Sequence, residues 1–336
     1  MHAIANNARW GILLAGGEGA RMRPLIRSWL GENRPKQYCT FVGSRSMFQH
    51  TADRARCVVS DEHLVTIIAK EHRTFLSELA NGNLPGLVIE QPSNLGTAPG
   101  VFLPTCYVLA EDPEATVVFL PTDHFVYPEG RFSDHMVHAC ELAESLQDQI
   151  ILVGAIPNRA ETDYGWIDPS TPAEPGPVAR PHGSTEVAYF REKPDAREAR
   201  ALLRRGCLWN TMVMAVKAKA LWTLGRQCLP EMMYKFDAFL LVLRAVREGR
   251  LGAQHETLAL ERLYEELTPA DFSKDILQHV PNHSRALPMD GVDWCDWGRP
   301  QRVTEALARL GRGPVFPSYR PHNVRKPAPV AVESPV

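Results

Sequence analysis

Residues 13–25 read LLAGGEGARMRPL, an apolar run that turns at once into Gly16, Gly17 and Gly19 and then into Arg21 and Arg23. A glycine-rich turn directly after a strand leaves backbone N–H groups free to hold an anion, and arginine adds fixed positive charge above them. Phosphate is the anion that suits this combination. Two familiar phosphate loops do not fit. A Walker loop needs Lys and then Ser or Thr after its last glycine, whereas Gly19 is followed by Ala20 and Arg21. A dinucleotide fingerprint needs glycine at position 22, which is Met22.

What remains is AGGxGxRxxP, that is, Gly16, Gly17, Gly19, Arg21 and Pro24, followed by Arg34, Pro35, Lys36 and Gln37. This pairing resembles the signature of the sugar-1-phosphate nucleotidyltransferases, which join a nucleoside triphosphate to a sugar phosphate. Further motifs follow in order. NLGTAPG (94–100) is similar to the segment that frames base and ribose, with Gly96 where the mannose enzymes more often show Asn. FLPTDHF (119–125) resembles LPxDH, YGWI (164–167) resembles YGYI, and FREKPD (190–195) resembles FVEKPD. WNTMVM (209–214) stands where the mannose enzymes carry WNSGMF, and VDWCDWG (292–298) is similar to GWxDxG. The resemblance is strongest to the mannose-1-phosphate guanylyltransferases.

The resemblance implies attack by a sugar-phosphate oxygen, that of mannose 1-phosphate, on the α-phosphorus of a triphosphate, GTP, giving GDP-mannose with expulsion of pyrophosphate. Several negative charges must then be brought together and neutralised. Carboxylates are out of place there unless a metal lies between, so Asp123 and Asp296 are expected to hold Mg2+, with Asp293 competing for the second position. Arg21, Lys36 and Asp123 form the implied catalytic set. Leu14, Ala15, Gly16, Gly17, Gly19, Asn94, Gly96, Thr97, Ala98 and Asp123 are implied for the nucleotide, and Gly165, Glu192, Lys193, Asn210 and Thr211 for the sugar phosphate. A general base is not required, since a phosphate oxygen is already ionised. Two other readings stand beside this one: the same chemistry on another sugar phosphate or base, such as glucose 1-phosphate, and a non-catalytic subunit that binds a sugar nucleotide.

These residues need a scaffold, and the sequence pattern supplies it. Short apolar runs alternate with longer amphipathic ones, which predicts an α/β fold with a largely parallel sheet. The resemblance implies a Rossmann-like three-layer sandwich with a mixed, mostly parallel sheet. Strands are expected at 10–14, 64–69, 87–90, 116–120 and 150–154, and YGWI and VAYFREK also look like strands. Ser46 and Gln49 form a capping-box pattern ahead of a helix to Val59, and 131–147 has helical spacing. Residues 170–185 are too rich in Pro and Gly to continue any element, 221–267 is helical throughout, and a last helix follows Pro300. The nucleotidyltransferase domain is assigned to 9–312. The proline-rich chain 313–336 is expected to lack regular structure and to bury little.

Composition sets the outer bounds. The 336 residues carry 37 basic and 39 acidic side chains, a formal charge of −2, so nothing drives the whole chain toward nucleic acid or an anionic membrane. No apolar run is long enough to cross a bilayer and the N-terminus lacks a secretory pattern, which predicts a cytoplasmic protein. Seven widely spaced cysteines without a CxxC pair suggest neither disulfides nor zinc. Small-molecule substrates are the expected partners, and a homodimer is left open.

Overall fold

The computed structural model describes residues 8–80, 86–169 and 183–316. Nine strands form one sheet in the order β3-β2-β1-β4-β9-β6-β10-β8-β7, and β5 pairs with β11 in a small second sheet. The strands are β1 (Arg9–Ala15), β2 (Leu64–Ala69), β3 (Leu87–Gln91), β4 (Thr116–Pro121), β5 (Phe125–Tyr127), β6 (Ile150–Ala155), β7 (Gly165–Pro169), β8 (Thr185–Glu192), β9 (Leu208–Lys217), β10 (Ser284–Met289) and β11 (Asp293–Cys295). Within the large sheet β8 and β9 run against the other strands. The expected mixed, mostly parallel α/β sheet is therefore the one observed.

Strand period explains the three layers. Ile12, Val117, Phe119 and Leu152 enter one core with the helices Thr97–Glu111, Ala218–Cys228 and Pro230–Arg247. Their neighbours Leu13, Val118, Leu120 and Val153 enter the other core, with the helices Met47–Arg56 and Glu129–Ser145. Successive side chains of a strand point to opposite faces, so runs apolar at every position are buried on both sides.

The five expected strands appear with ends shifted by one residue at most, and the Ser46–Gln49 capping box is formed in both directions. The helical stretch 221–267 is divided into Ala218–Cys228, Pro230–Arg247 and Gln254–Glu266, broken first where Pro230 removes a backbone donor. Residues 170–182 lie outside the described chain, as do those after 316. Five of the cysteines are buried and all seven are free thiols. No described helix is long and apolar enough to cross a membrane.

The start of the C-terminal segment departs from expectation. Phe316 is buried in a small third core, with its ring centroid 5.7 Å from Trp29 and 5.8 Å from Phe41. The Val315 N–H donates to the Phe41 carbonyl at 3.1 Å. An aromatic ring between two others buries area that proline content does not reveal. Phe316→Ala should lower the unfolding free energy by about 3 kcal/mol in urea titration. A change below about 0.5 kcal/mol, the size of an ordinary surface substitution, would show that the ring only rests on the body.

Candidate functional site

The glycine-rich loop leaves β1 at the carboxyl edge of the parallel strands, the edge where open α/β sheets bind ligands. It is fixed from the side by the RPKQ segment. Gln37 Nε2 donates to the carbonyls of Ala15 at 2.8 Å and Gly17 at 2.9 Å, and His72 Nδ1 reaches the same Ala15 oxygen at 3.2 Å. Gly19 has φ 58, and a Cβ there would stand 3.0 Å from Lys36 Cβ, so only glycine lets the loop lie on Lys36. A Cβ on Gly16 would meet Gln91 Nε2 at 2.6 Å, whereas one on Gly17 would meet nothing within 4 Å. The fold itself makes no demand for glycine at 17.

A cavity of about 450 Å³ opens beside this loop. Its walls bring together Leu14, Gly16, Gly17, Asn94, Gly96, Thr97 and Asp123 from three distant segments. The NLGTAPG segment is held by the chain before the Ser273–Leu277 turn: Thr97 Oγ1 accepts from the Phe272 N–H at 2.7 Å and the Ala98 N–H donates to the Ala270 carbonyl at 3.1 Å. That packing explains Gly96. Its φ is 93, and a Cβ would come within 2.4 Å of the Ala270 oxygen. Ala15 and Ala98 are buried beneath the cavity and do not line it. Met212, within the WNTMVM motif, also lines the cavity, as do Gln91 and Asp271, which lie in none of the quoted motifs.

At the mouth, Lys36 is almost wholly buried, and its Nζ lies 2.8 Å from Asp123 Oδ2 and 2.5 Å from the Asp296 carbonyl oxygen. Burial acts most strongly and would raise the Asp123 pKa, but the charge and hydrogen bond of Lys36 together with His124 outweigh it and hold the carboxyl below its usual range. Asp296 is more enclosed. Its Oδ1 accepts from Tyr164 Oη at 2.7 Å, Arg302 Nη1 at 2.8 Å and the Gly298 N–H at 3.0 Å. Burial would raise its pKa too, yet Lys36, Arg302 and these donors hold it far below the ordinary value. Asp293, the competing candidate, is exposed on β11 opposite Tyr127.

Arg302 is buried and binds Asp163 at 3.0 Å and Glu161 at 2.8 Å as well as Asp296. Arg21 shares two of these partners, reaching Asp163 at 3.0 Å and Asp296 Oδ2 at 3.4 Å, with its side chain 52% exposed. Gly298 permits that approach, since a Cβ there would stand 2.8 Å from Arg21 Nη2.

The sugar-side candidates form a second cluster. A Cβ on Gly165 would meet Glu192 Oε2 at 2.6 Å and Asn210 Cβ at 3.2 Å, which places the three together. Lys193 Nζ pairs with Glu192 Oε1 at 2.7 Å. Thr211 does not join them. It is fully buried, and its hydroxyl donates to the Val153 carbonyl and accepts from the Val213 N–H at 3.1 Å. Alternation on β9 sends it to the face opposite Asn210. Lys193, Met212 and Trp297 have positive φ values of 47, 57 and 45. Strain of this kind, about 1–3 kcal/mol per residue, concentrates at ligand sites.

Residues 10–235 match the nucleotidyl transferase family. The chain belongs to that family. The chain is 29% identical over 242 residues to the alginate biosynthesis protein AlgA of Pseudomonas syringae pv. tomato, a match covering 71% of this chain and 47% of that protein. It is 30% identical over 213 residues to a mannose-1-phosphate guanylyltransferase of Klebsiella pneumoniae, covering 62% and 42% respectively. The chain thus spans less than half the length of the curated relatives it matches. A crystal structure from Thermus thermophilus, titled mannose-1-phosphate geranyltransferase, superposes with a TM-score of 0.71 at 25% identity over 94% of this chain and 81% of that one.

The electrostatics around Asp296 predict a pH dependence. A carboxyl whose folded pKa lies below the unfolded value near 3.8 contributes stability that is complete above that value and is lost as pH falls toward the folded one. Between about pH 5 and pH 3 the wild type should therefore lose more stability than Asp296→Asn, measured by urea unfolding. Parallel pH profiles for the two proteins would remove Asp296 from this role.

Proposed function

We propose that the chain transfers a guanylyl group from GTP to mannose 1-phosphate. The observation that carries this reading is Lys36 held between Asp123, which lines the cavity beside the glycine loop, and the backbone of Asp296, whose carboxylate binds Tyr164 next to Gly165 of the second cluster. The names of the relatives supply the choice of base and sugar.

An oxygen of the sugar phosphate attacks the α-phosphorus, the bond from that phosphorus to the bridging oxygen breaks, and the electron pair leaves with pyrophosphate. Positioning and charge neutralisation carry the rate, because the nucleophile is already an anion. Lys36 places a buried ammonium beside the α-phosphate. Arg21 exchanges Asp163 and Asp296 for the phosphates that leave, a bidentate task that suits guanidinium. Lys193 holds the incoming phosphate, while Glu192 and Asn210 reach sugar hydroxyls.

Asp123 and Asp296 fit a divalent cation such as Mg2+. Asp123 Oδ1 meets His124 Nε2 at 3.5 Å and Asp296 Oδ2 meets Arg21 at 3.4 Å, contacts long enough to yield. Among the described residues there is no group of three or more His, Cys, Asp or Glu that could cage a metal. Magnesium is commonly held by one or two carboxylates together with water and phosphate oxygens, so two suffice. When bound, the ion would neutralise charge that develops on the phosphates.

Two measurements check the assignment. Asp123→Asn keeps the shape and loses the charge, so pyrophosphate release from GTP and mannose 1-phosphate should fall roughly 100-fold or more while the unfolding midpoint moves little. Activity surviving within a few-fold would displace Asp123 from the reaction. Gly17→Val should leave the melting temperature nearly unchanged, because its side chain meets no protein atom, and should abolish GTP binding in calorimetric titration. Retained GTP affinity would mean that the loop does not approach the triphosphate.

A further inference from the structure

A second cavity, of about 270 Å³, lies behind the carboxylate pair and shares with the first only His124. Three side chains in its wall each carry a nitrogen with almost no accessible surface and no hydrogen-bond partner among the described residues, within reach of an occupant that shifts the wall slightly: Arg54 Nε, His124 Nδ1 and Trp297 Nε1. Arg54 is the most telling. Its side chain is only 5% exposed, its terminal nitrogens are engaged by Glu129 at 3.3 Å and Thr51 at 2.6 Å, and Nε is left over. A buried guanidinium with an unused N–H is costly unless an acceptor reaches it.

The wall is rich in cations. Arg45 and Arg312 join Arg54, against the single carboxylate of Glu129, which also binds His50 at 3.0 Å. Arg45 is tied to Asp53 at 2.6 Å but remains half-exposed, and Arg312 stands 6.0 Å over the Tyr127 ring. Much of the rest of the lining is apolar, and within it Phe125 and Trp297 stack at 4.6 Å with 9° between their planes. We propose that this cavity binds a small organic phosphate with a flat apolar body, and that its occupant acts on the carboxylate pair from behind.

The coupling is built into the chain. His124 directly follows Asp123 and lies 3.5 Å from its Oδ1. Trp297 directly follows Asp296 and sits in the left-handed region at φ 45, so a ligand that moves either ring moves the backbone carrying a carboxylate. The binding site stands on its own geometry; only the effector role rests on the proposed function.

The test is calorimetric titration of 1-naphthyl phosphate into the full chain, with and without saturating GTP and MgCl2. The probe should bind in both cases. Loss of binding with GTP would place it in the glycine-loop cavity and overturn the site. Arg45→Ala combined with Arg312→Ala should weaken the probe about tenfold, and so should replacing the probe with uncharged 1-naphthol. Unchanged affinity in either arm would overturn the anion assignment. Arg54→Met should weaken it further, and the half-exposed Arg45 and Arg312 keep the test decisive if Arg54→Met does not fold. With the probe bound, turnover at saturating GTP and mannose 1-phosphate should change at least about twofold through the flanking backbone. Constant turnover would remove the effector role. Absence of any turnover would instead fault the proposed function, with the titration still deciding the site.

Discussion

Lys36 is a buried ammonium, and such a group is stable only where the fold surrounds it with acceptors. Those acceptors come from far along the chain: the Asp123 carboxylate just after β4 and the Asp296 carbonyl just after β11. The turn that carries Lys36 also lies against Gly19, and the next residue, Gln37, holds the carbonyls of Ala15 and Gly17. One short segment therefore fixes the glycine loop, a strand end and the last part of the domain relative to each other. Removing the ammonium would leave the Asp123 carboxylate without its 2.8 Å partner, the Asp296 carbonyl without its donor and the glycine loop without the charge it lies beside.

A second set of charges divides into a fixed part and a loose part. Arg302 is buried and hydrogen-bonded to Asp296, Tyr164 and Asp163, so its geometry is set by packing. Arg21 touches Asp163 and Asp296 from the surface, where an ion pair contributes little and partners exchange readily. The fixed arginine keeps Asp296 ionised and oriented, which is electrostatic preorganisation of the kind that lowers barriers for charged reactions. The loose one remains available to a ligand.

Much of this was legible because local patterns carried it. Runs apolar at every position marked β1, β2, β4 and β6, and Gly19, Lys36, Asp123 and Asp296 stood in recognisable motifs. What escaped depended on residues distant in sequence. β5 and β11 are three residues each and exist because they pair with one another. The Gly96 requirement comes from the Ala270 carbonyl, and Gln91, Asp271 and Arg302 enter the site only through the fold. The positive φ of Met212 leaves no trace in its residue type. Thr211 was named with the WNTMVM motif as a whole, whereas strand alternation turns its side chain away from Asn210.

The reversed strand β9 is what joins the two halves of the site. Strands β1 and β4 deliver the glycine loop and Asp123 at their carboxyl ends. A parallel strand in the next position would bring only its last residues to that surface. Because β9 runs the other way, its first residues arrive there, with Asn210 beside Gly154 and Met214 beside Phe119. The hairpin of β7 and β8 then sets Gly165 opposite Glu192 at the level of Asn210. A single antiparallel insertion thus puts Met212 in the wall of the first cavity and Asn210 in the second cluster. Two residues of one strand face the two substrates that the proposed reaction must bring together.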